Sequence, residues 1–321
     1  MSSSGVSWPL LPVSCLFLVR IQLILRRIVQ WVFFISGSLP CSMSMVQIVM
    51  GIILAAAVVL FSKLFCGYLC PLGTVQDLLM KLRKAIGFKG IDIKNGSVAD
   101  KALRILKYAL LFWIFYMTAT ASELFCKNLD PYYAVATGFK GEITLWMSII
   151  SVAVVLILGF LVNMFWCKYL CPLGAISNSL KFWVWIVVLF AAYYLLGVLG
   201  LNVPWWVLLA AFCVAGYLLE ILCGKPKFQV LHIMKNDTKC THCGLCTKAC
   251  PYSIDVAGWK NGAVNAVDCT LCGECTAVCP DDAIHTGVCV KGSRNIVNVA
   301  LPAVISLILL AIGFWAGGRY E

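Results

Sequence analysis

The sequence predicts an all-α integral membrane bundle of six to seven transmembrane helices, joined to a small cysteine-dense domain. Three observations carry this. Of the 321 residues, 62% are hydrophobic and only 12% are charged, with a mean hydropathy of +0.93; a soluble domain carries about 25% charged residues. Several apolar runs reach the ~20 residues that cross a bilayer. Eight of the 18 cysteines fall between Cys240 and Cys279. The net charge of +11 does not mark a nucleic-acid binder, because the basic residues sit beside apolar runs, where they set topology.

The expected spans run from Ile28 to Met43 (short), Val46 to Phe65, Ala102 to Ala121, Ile143 to Trp166, Lys181 to Gly200, Val203 to Leu222 and Ile296 to Ala316. Arg20, Arg26 and Arg27 interrupt the N-terminal apolar run, so no cleavable signal peptide is expected. Lys81, Arg83, Lys84, Lys89, Lys94, Lys101 and Arg104 lie between the second and third spans. Lys225, Lys227, Lys235 and Lys239 follow the sixth, and Lys291 and Arg294 precede the seventh. Simple alternation puts all of these on one side. The positive-inside rule makes that side the cytoplasm of a bacterial-type inner membrane and leaves the C-terminus outside. The expected division is 1–27 N-terminal segment, 28–180 membrane repeat, 181–223 transmembrane hairpin, 235–290 cysteine-dense domain and 296–316 C-terminal helix.

The repeat is explicit. "FCGYLCPLG" (Phe65 to Gly73) and "WCKYLCPLG" (Trp166 to Gly174) share seven of nine positions at an offset of 101 residues. Each ends a membrane hairpin on the basic side, so the two hairpins form a parallel repeat with pseudo-two-fold symmetry about the membrane normal.

In the dense window, Cys240, Cys243, Cys246 and Cys250 form C-x2-C-x2-C-x3-C-P, and Cys269, Cys272, Cys275 and Cys279 form it again. This is the ligand run of bacterial ferredoxins with two [4Fe–4S] clusters, whose fourth cysteine reaches the other cluster. Cys240, Cys243, Cys246 and Cys279 are assigned to the first cluster. Cys269, Cys272, Cys275 and Cys250 are assigned to the second. Gly244 and Gly273 let the backbone turn beneath the sulfurs, and Pro251 and Pro280 end the runs. Zinc prefers separated ligand pairs, and disulfides do not suit the cytoplasmic side.

The three histidines, His232, His242 and His285, all lie in or beside this window, and no C-x-x-C-H occurs. Neither a transmembrane haem b nor an ordinary haem c is therefore expected in this chain. Attention passes to Cys66, Cys70, Cys167 and Cys171. On a helix, cysteines at i and i+4 share one face, about 6 Å apart along the axis. Pro71 and Pro172 then stop that helix or start the next. Symmetry would bring the four thiols together as an additional iron–sulfur site; the alternative is that small cysteines ease helix packing.

Cys41 and Cys126 form a second symmetric pair, in the outward loops, for which a disulfide, a metal site and no role are all open. Cys15, Cys213, Cys223 and Cys289 read as packing residues. Arg26, Arg27 and Gln30 would anchor the first span. Glu220 would face a cavity or reach water. Asp130 before Pro131 would shape an outer loop. Trp183, Trp185, Trp205 and Trp206 fit an aromatic belt, and the segment from Gly73 to Lys89 a basic amphipathic surface helix.

The paired C-x-x-x-C-P motifs, the "RRIVQ" start, the "DPY" loop and the two-cluster window together resemble the NapH/NosR-type membrane polyferredoxins, over roughly Arg26 to Cys279. The resemblance implies quinol oxidation, or electron relay between the quinone pool, the cytoplasm and periplasmic proteins. The chain departs from it by lacking the large outer flavin domain of NosR-type proteins and by having extra spans after the second motif. The expected function is that of an electron-transfer subunit of a membrane redox complex, quinol dehydrogenase-like. Expected partners are membrane lipid, other redox subunits, quinone and a periplasmic electron-transfer protein. The alternatives are a maturation factor supplying reducing equivalents to a metalloenzyme, and a redox sensor.

Overall fold

The computed structural model describes residues 45–68, 70–121, 129–136, 138–139, 144–199, 203–224, 229–259, 262–290, 293–296 and 301–317. The expected first span and Cys15, Arg26, Arg27, Gln30, Cys41 and Cys126 lie outside them.

The first repeat unit is α1 (Met45–Phe61), α2 (Leu64–Tyr68) and α3 (Pro71–Ile86). After α4 (Val98–Ala121) and α5 (Pro131–Ala136), the second unit follows as α6 (Leu145–Leu161), a π-helical turn at Trp166–Leu170, and α7 (Pro172–Leu180). Local chemistry sets these ends. Pro71 and Pro172 open α3 and α7 at a first-turn position, where a missing N–H costs nothing. Gly87, at φ 79°, closes α3: its N–H donates to the Lys84 carbonyl, and the Phe88 N–H reaches back to the Arg83 carbonyl. Ser97 caps α4, accepting from the Asp100 N–H at 3.2 Å, while Asp100 accepts from the Gly96 N–H at 3.0 Å. The long helix of each unit lies against the short helix of the other, α1 on α7 and α6 on α3. Arg83 of α3 donates to the Phe160 and Leu161 carbonyls at 2.8 and 3.0 Å, satisfying the end of α6.

Two further apolar helices follow, α8 (Trp183–Val198) and α9 (Trp205–Leu222). Helix α4, over Val98–Thr120, and helix α9 are each long and apolar enough to cross a membrane. Helices α7 and α8 meet at 91° and make a third span if taken as one bent segment. Among the described residues, two to three helices thus pass as spans by length and composition, and the six to seven expected are not shown. The apolar runs are cut short: α1 stops before Ser62, at φ 72°, and α6 stops where Val162 turns extended and bridges Ile91. Helix α4 begins at Val98, before the expected Ala102, and Arg104, counted above among the basic loop charges, lies within this helix and is buried.

The C-terminal domain adds a sheet to the helical plan. It contains β1 (Leu231–Lys235), α10 (Leu245–Ala249), β2 (Ala263–Val264), α11 (Glu274–Ala277), β3 (Ile284–Val290) and β4 (Ser293–Ile296), before α12 (Leu301–Gly317). The strands pair antiparallel in the order β2-β1-β3-β4, with Ile233 opposite both Val264 and Thr286. The sheet therefore runs past both ends of the expected 235–290 domain. Leu231, Ile233, Tyr252, Ile254, Val264 and Ile284 share one apolar core with Leu64, Tyr68 and Met164 of the membrane repeat. The two parts are packed together rather than tethered.

Candidate cluster sites

The two cysteine runs adopt the same unusual backbone. His242 and Leu271 both have φ 55°, Gly244 and Gly273 have φ 74° and 79°, and Ser253 and Asp282 have φ 54° and 46°. Such positions are costly for side-chain-bearing residues and persist only where surroundings demand them. Here they curl each run around a cavity. One cavity has about 300 Å³ of space free of protein atoms and is lined by Cys240, Cys243, Cys246 and Cys279. The other has about 390 Å³ and is lined by Cys250, Cys269, Cys272 and Cys275. The fourth cysteine of each run thus faces the cavity of the other run. Cys243 of the first set is exposed, whereas Cys275 of the second is buried, so we call them the outer and inner sites.

Amides point at these sulfurs. Cys279 Sγ accepts from the Ala283 N–H at 3.3 Å. Burial pushes the Cys250 thiol up to about 12 and the Cys269 thiol up to about 11. Bare thiols there stay protonated at neutral pH and ionise only against the positive charge of bound iron. Cavity, ligand set and amide donors all fit a cubane cluster.

The repeat motifs converge as well. Cys70 lies in the electrostatic field of Cys66 and Cys171, and Cys167 in that of Cys70, Cys171 and Cys66. Burial raises all four thiols, Cys171 to about 11. The local geometry corrects the expected α-helical face. Cys70 N–H donates to the Phe65 carbonyl at 2.9 Å and Cys171 N–H to the Trp166 carbonyl at 2.8 Å, both five residues back. These are π-type turns, often found at functional sites. Space is tight at the glycine that ends each motif. A Cβ on Gly73 would meet the Cys66 carbonyl at 2.9 Å, and one on Gly174 the Cys167 carbonyl at 3.1 Å. Cys70 and Cys171 precede the first turns of α3 and α7, where helix N-termini favour a thiolate. Among the described residues, no three His, Cys, Asp or Glu side chains converge closely enough to hold one metal ion.

The inner site lies against the membrane repeat. Tyr68 Oη donates to the Leu271 carbonyl at 2.9 Å, and Ser62 Oγ to the Cys269 carbonyl at 2.8 Å. A Cβ on Gly67 would meet the Thr270 carbonyl at 2.7 Å, so only glycine admits this approach. Tyr252, 6% exposed, lines the inner cavity and lies in the field of Cys167, Cys66 and Cys272. Tyr252 thus stands within reach of both the inner cysteines and the repeat cysteines.

A buried charge network surrounds this junction, and sequence reasoning missed most of it. Arg104 pairs with Asp100 through Nε at 2.9 Å, with Asp268 through Nη2 at 2.6 Å, and with Glu220 through Nη1. Lys107 Nζ lies 2.6 Å from Glu220, Lys168 Nζ 2.7 Å from Asp100, and Lys63 Nζ 3.4 Å from Asp268. Lys181 donates to Ser62 Oγ at 2.9 Å and the Val267 carbonyl at 2.6 Å. Burial alone would push the Asp268 carboxyl up, but Arg104, then Lys63, Lys107 and Lys168, hold it well below the usual carboxylate range. Glu220 faces a cavity, one of its two expected surroundings, and does so ion-paired. One signal was available: Asp100, Arg104 and Lys107 fall on one helical face of an apolar run.

Comparison with known proteins agrees with the two kinds of site. A 4Fe-4S binding domain model matches residues 43–89 and 144–184, which hold the repeat motifs. A 4Fe-4S dicluster domain model matches residues 234–284. The ferredoxin-type protein NapH of Haemophilus influenzae is 30% identical over 128 residues, 38% of this chain and 41% of that protein. The regulatory protein NosR of Pseudomonas aeruginosa is 27% identical over 125 residues, 38% of this chain and 17% of that protein. This chain is a distant homologue of the NapH- and NosR-type polyferredoxins. YccM of Escherichia coli (strain K12), whose name assigns it provisionally to electron transport, is 28% identical over 231 residues, 69% of this chain. The chain spans half the length of YccM. No solved structure matches it.

Proposed function

We propose that this polyferredoxin homologue is a membrane electron-transfer subunit with three cysteine-lined centres in series. Cys240, Cys243, Cys246 and Cys279 hold a [4Fe–4S] cluster at the outer site, and Cys250, Cys269, Cys272 and Cys275 a second at the inner site. Cys66, Cys70, Cys167 and Cys171 hold a further iron–sulfur centre where the repeat units meet. Such clusters supply one-electron chemistry at potentials set by hydrogen bonds, charge and exposure. The single observation that carries the reading is the position of Tyr252, which lines the inner cavity and lies in the electrostatic field of Cys167 and Cys66 of the repeat. The exposed outer site receives or delivers electrons in solution. The four-cysteine site serves the bilayer side, with quinone as the lipid-soluble partner.

Helices α1, α6 and α12, each 17 residues long, then complete the membrane region, since ~17 residues is the lower limit for a span. The basic segment between α1 and α4 supports a cytoplasmic ferredoxin domain. Helix α8 has no buried residue, which supports contact with lipid or another subunit.

The test is anaerobic purification with iron and acid-labile sulfide counts, followed by reduction with a quinol. The expected count exceeds the eight irons per chain of two cubane clusters, falls to about eight in the Cys66→Ser, Cys167→Ser variant, and the EPR signals respond to quinol. An unchanged count in that variant removes the third centre. Clusters silent to both quinol and quinone would favour a maturation role, in which deletion strips a partner enzyme of its cofactor.

A further inference from the structure

Glu220 is buried near the end of α9, within an otherwise apolar helix. An ionisable group on such a helix is expensive to keep and commonly marks an ion or proton path. It is not sealed off. A vestibule with about 930 Å³ of open space lies between the start of α4, the end of α9 and the loop before the inner cysteine run. Asn95, Asp100, Lys101, Arg104, Glu220 and Asp268 line it, which makes it polar and roomy enough to hold water.

The two oxygens of Glu220 are held differently. Oε1 accepts from Arg104 Nη1 and Lys107 Nζ, both cations. Oε2 accepts from the neutral Tyr108 hydroxyl at 2.7 Å. Tyr108 also lies beside Ser179 Oγ of α7. A Cβ on Gly216 would meet Ser179 Oγ at 2.5 Å and the Tyr108 ring at 2.9 Å, so a glycine in α9 lets the three helices close on this spot. The charged and titratable groups facing Glu220 are Arg104, Lys107 and Tyr108 from α4 and Asp268 from the inner-site loop. Arg104 joins Glu220 directly to Asp268, the residue before Cys269.

We infer that the vestibule delivers a proton to Glu220 when an electron enters the inner site. The inference rests on the relay reading above. With a cluster held by Cys250, Cys269, Cys272 and Cys275, a one-electron donor, such as a reduced ferredoxin or a viologen radical, would be oxidised and its electron would be stored at the inner site. One proton, carried from bulk solvent as hydronium in the vestibule, breaks its O–H bond to that hydronium, leaving neutral water, and forms an O–H bond on Glu220 Oε2. Tyr108 turns its hydroxyl towards Ser179 Oγ and accepts from the new carboxylic acid. No other bond changes, and the net charge of the buried region is preserved, which is the physical advantage where charge is poorly screened.

The test is an EPR-monitored redox titration of the full-length protein at several pH values. The inner-site signal is identified as the one altered by Cys272→Ser. Its midpoint falls with rising pH, approaching about 59 mV per unit for one proton per electron, and the slope is lost in Glu220→Gln. Because Glu220→Gln can disturb assembly, the double variant Glu220→Met, Lys107→Met removes one charge of each sign and is scored in the same way. A redox-induced infrared difference spectrum of the unaltered protein provides a second readout. A protonated-carboxyl band grows on reduction, shifts in D₂O and is absent from the Glu220 variants. A pH-independent midpoint, or a slope and band that survive both variants, overturns the proton step while the relay stands. Absence of any inner-site signal overturns the relay and the proton step with it.

Discussion

The two copies of the repeated motif differ at two positions, and one of them separates their roles. At the third position the first copy has Gly67 and the second Lys168. Gly67 has no side chain, and the Thr270 carbonyl of the ferredoxin domain lies where a Cβ would be. Lys168 instead reaches Asp100 in the buried charge network. The next residue is tyrosine in both copies, and its hydroxyl follows the same division. Tyr68 donates to the Leu271 carbonyl, whereas Tyr169 donates to Asp100 Oδ1 at 2.7 Å. A duplicated unit has thus been turned to two tasks, the first copy seating the cluster domain and the second gripping α4. The cysteines, proline and terminal glycine of the motif are unchanged.

Four substitutions, with Lys168→Ala as a control, probe this division. The largest effect is expected from Arg104→Met, which strips a shared guanidinium from Asp100, Glu220 and Asp268. Breaking a buried pair costs about 3–5 kcal/mol, read as a drop in the thermal midpoint in detergent with loss of bound iron; an unchanged midpoint would mean that the network does not hold the second copy to α4. Tyr169→Phe removes a donor to a carboxylate and is expected to cost about 1.5–3 kcal/mol. Next, Gly67→Ala forces a methyl group against the Thr270 carbonyl, at about 1–3 kcal/mol for an overpacked site. Its signature is faster proteolytic release of the ferredoxin domain, which Lys168→Ala should not produce. The smallest is Tyr68→Phe, which loses a neutral hydrogen bond worth about 0.5–1.5 kcal/mol. If the two tyrosine variants melted together, the proposed asymmetry would fail.

Much of the cluster domain was legible because its chemistry is local. Spacing within twelve residues assigns cysteines to a run, and the glycine at the turn announces a backbone that few other residues adopt. The exchange of the fourth cysteine follows from the same rule. The membrane part was less legible. Hydropathy located apolar stretches but not the breaks at Ser62 and Val162 that shorten them. Lys63, Lys168 and Lys181 look like ordinary interfacial cations in a linear reading.

By itself, the sequence determined that this chain is apolar and helical over most of its length, and carries a duplicated cysteine motif followed by a ferredoxin-like cysteine domain. Those properties rest on composition and on contacts between residues close in the chain. Only the tertiary structure decided that the four repeat cysteines lie within one another's electrostatic reach, that the inner rather than the outer site faces them, and that four buried cations pair with three carboxylates at the junction. These contacts join residues far apart in the chain, as between Tyr68 and Leu271 or Arg104 and Glu220. No helical or strand period carries such pairings; they arise when burial leaves a charge or hydroxyl no partner except the one that packing brings.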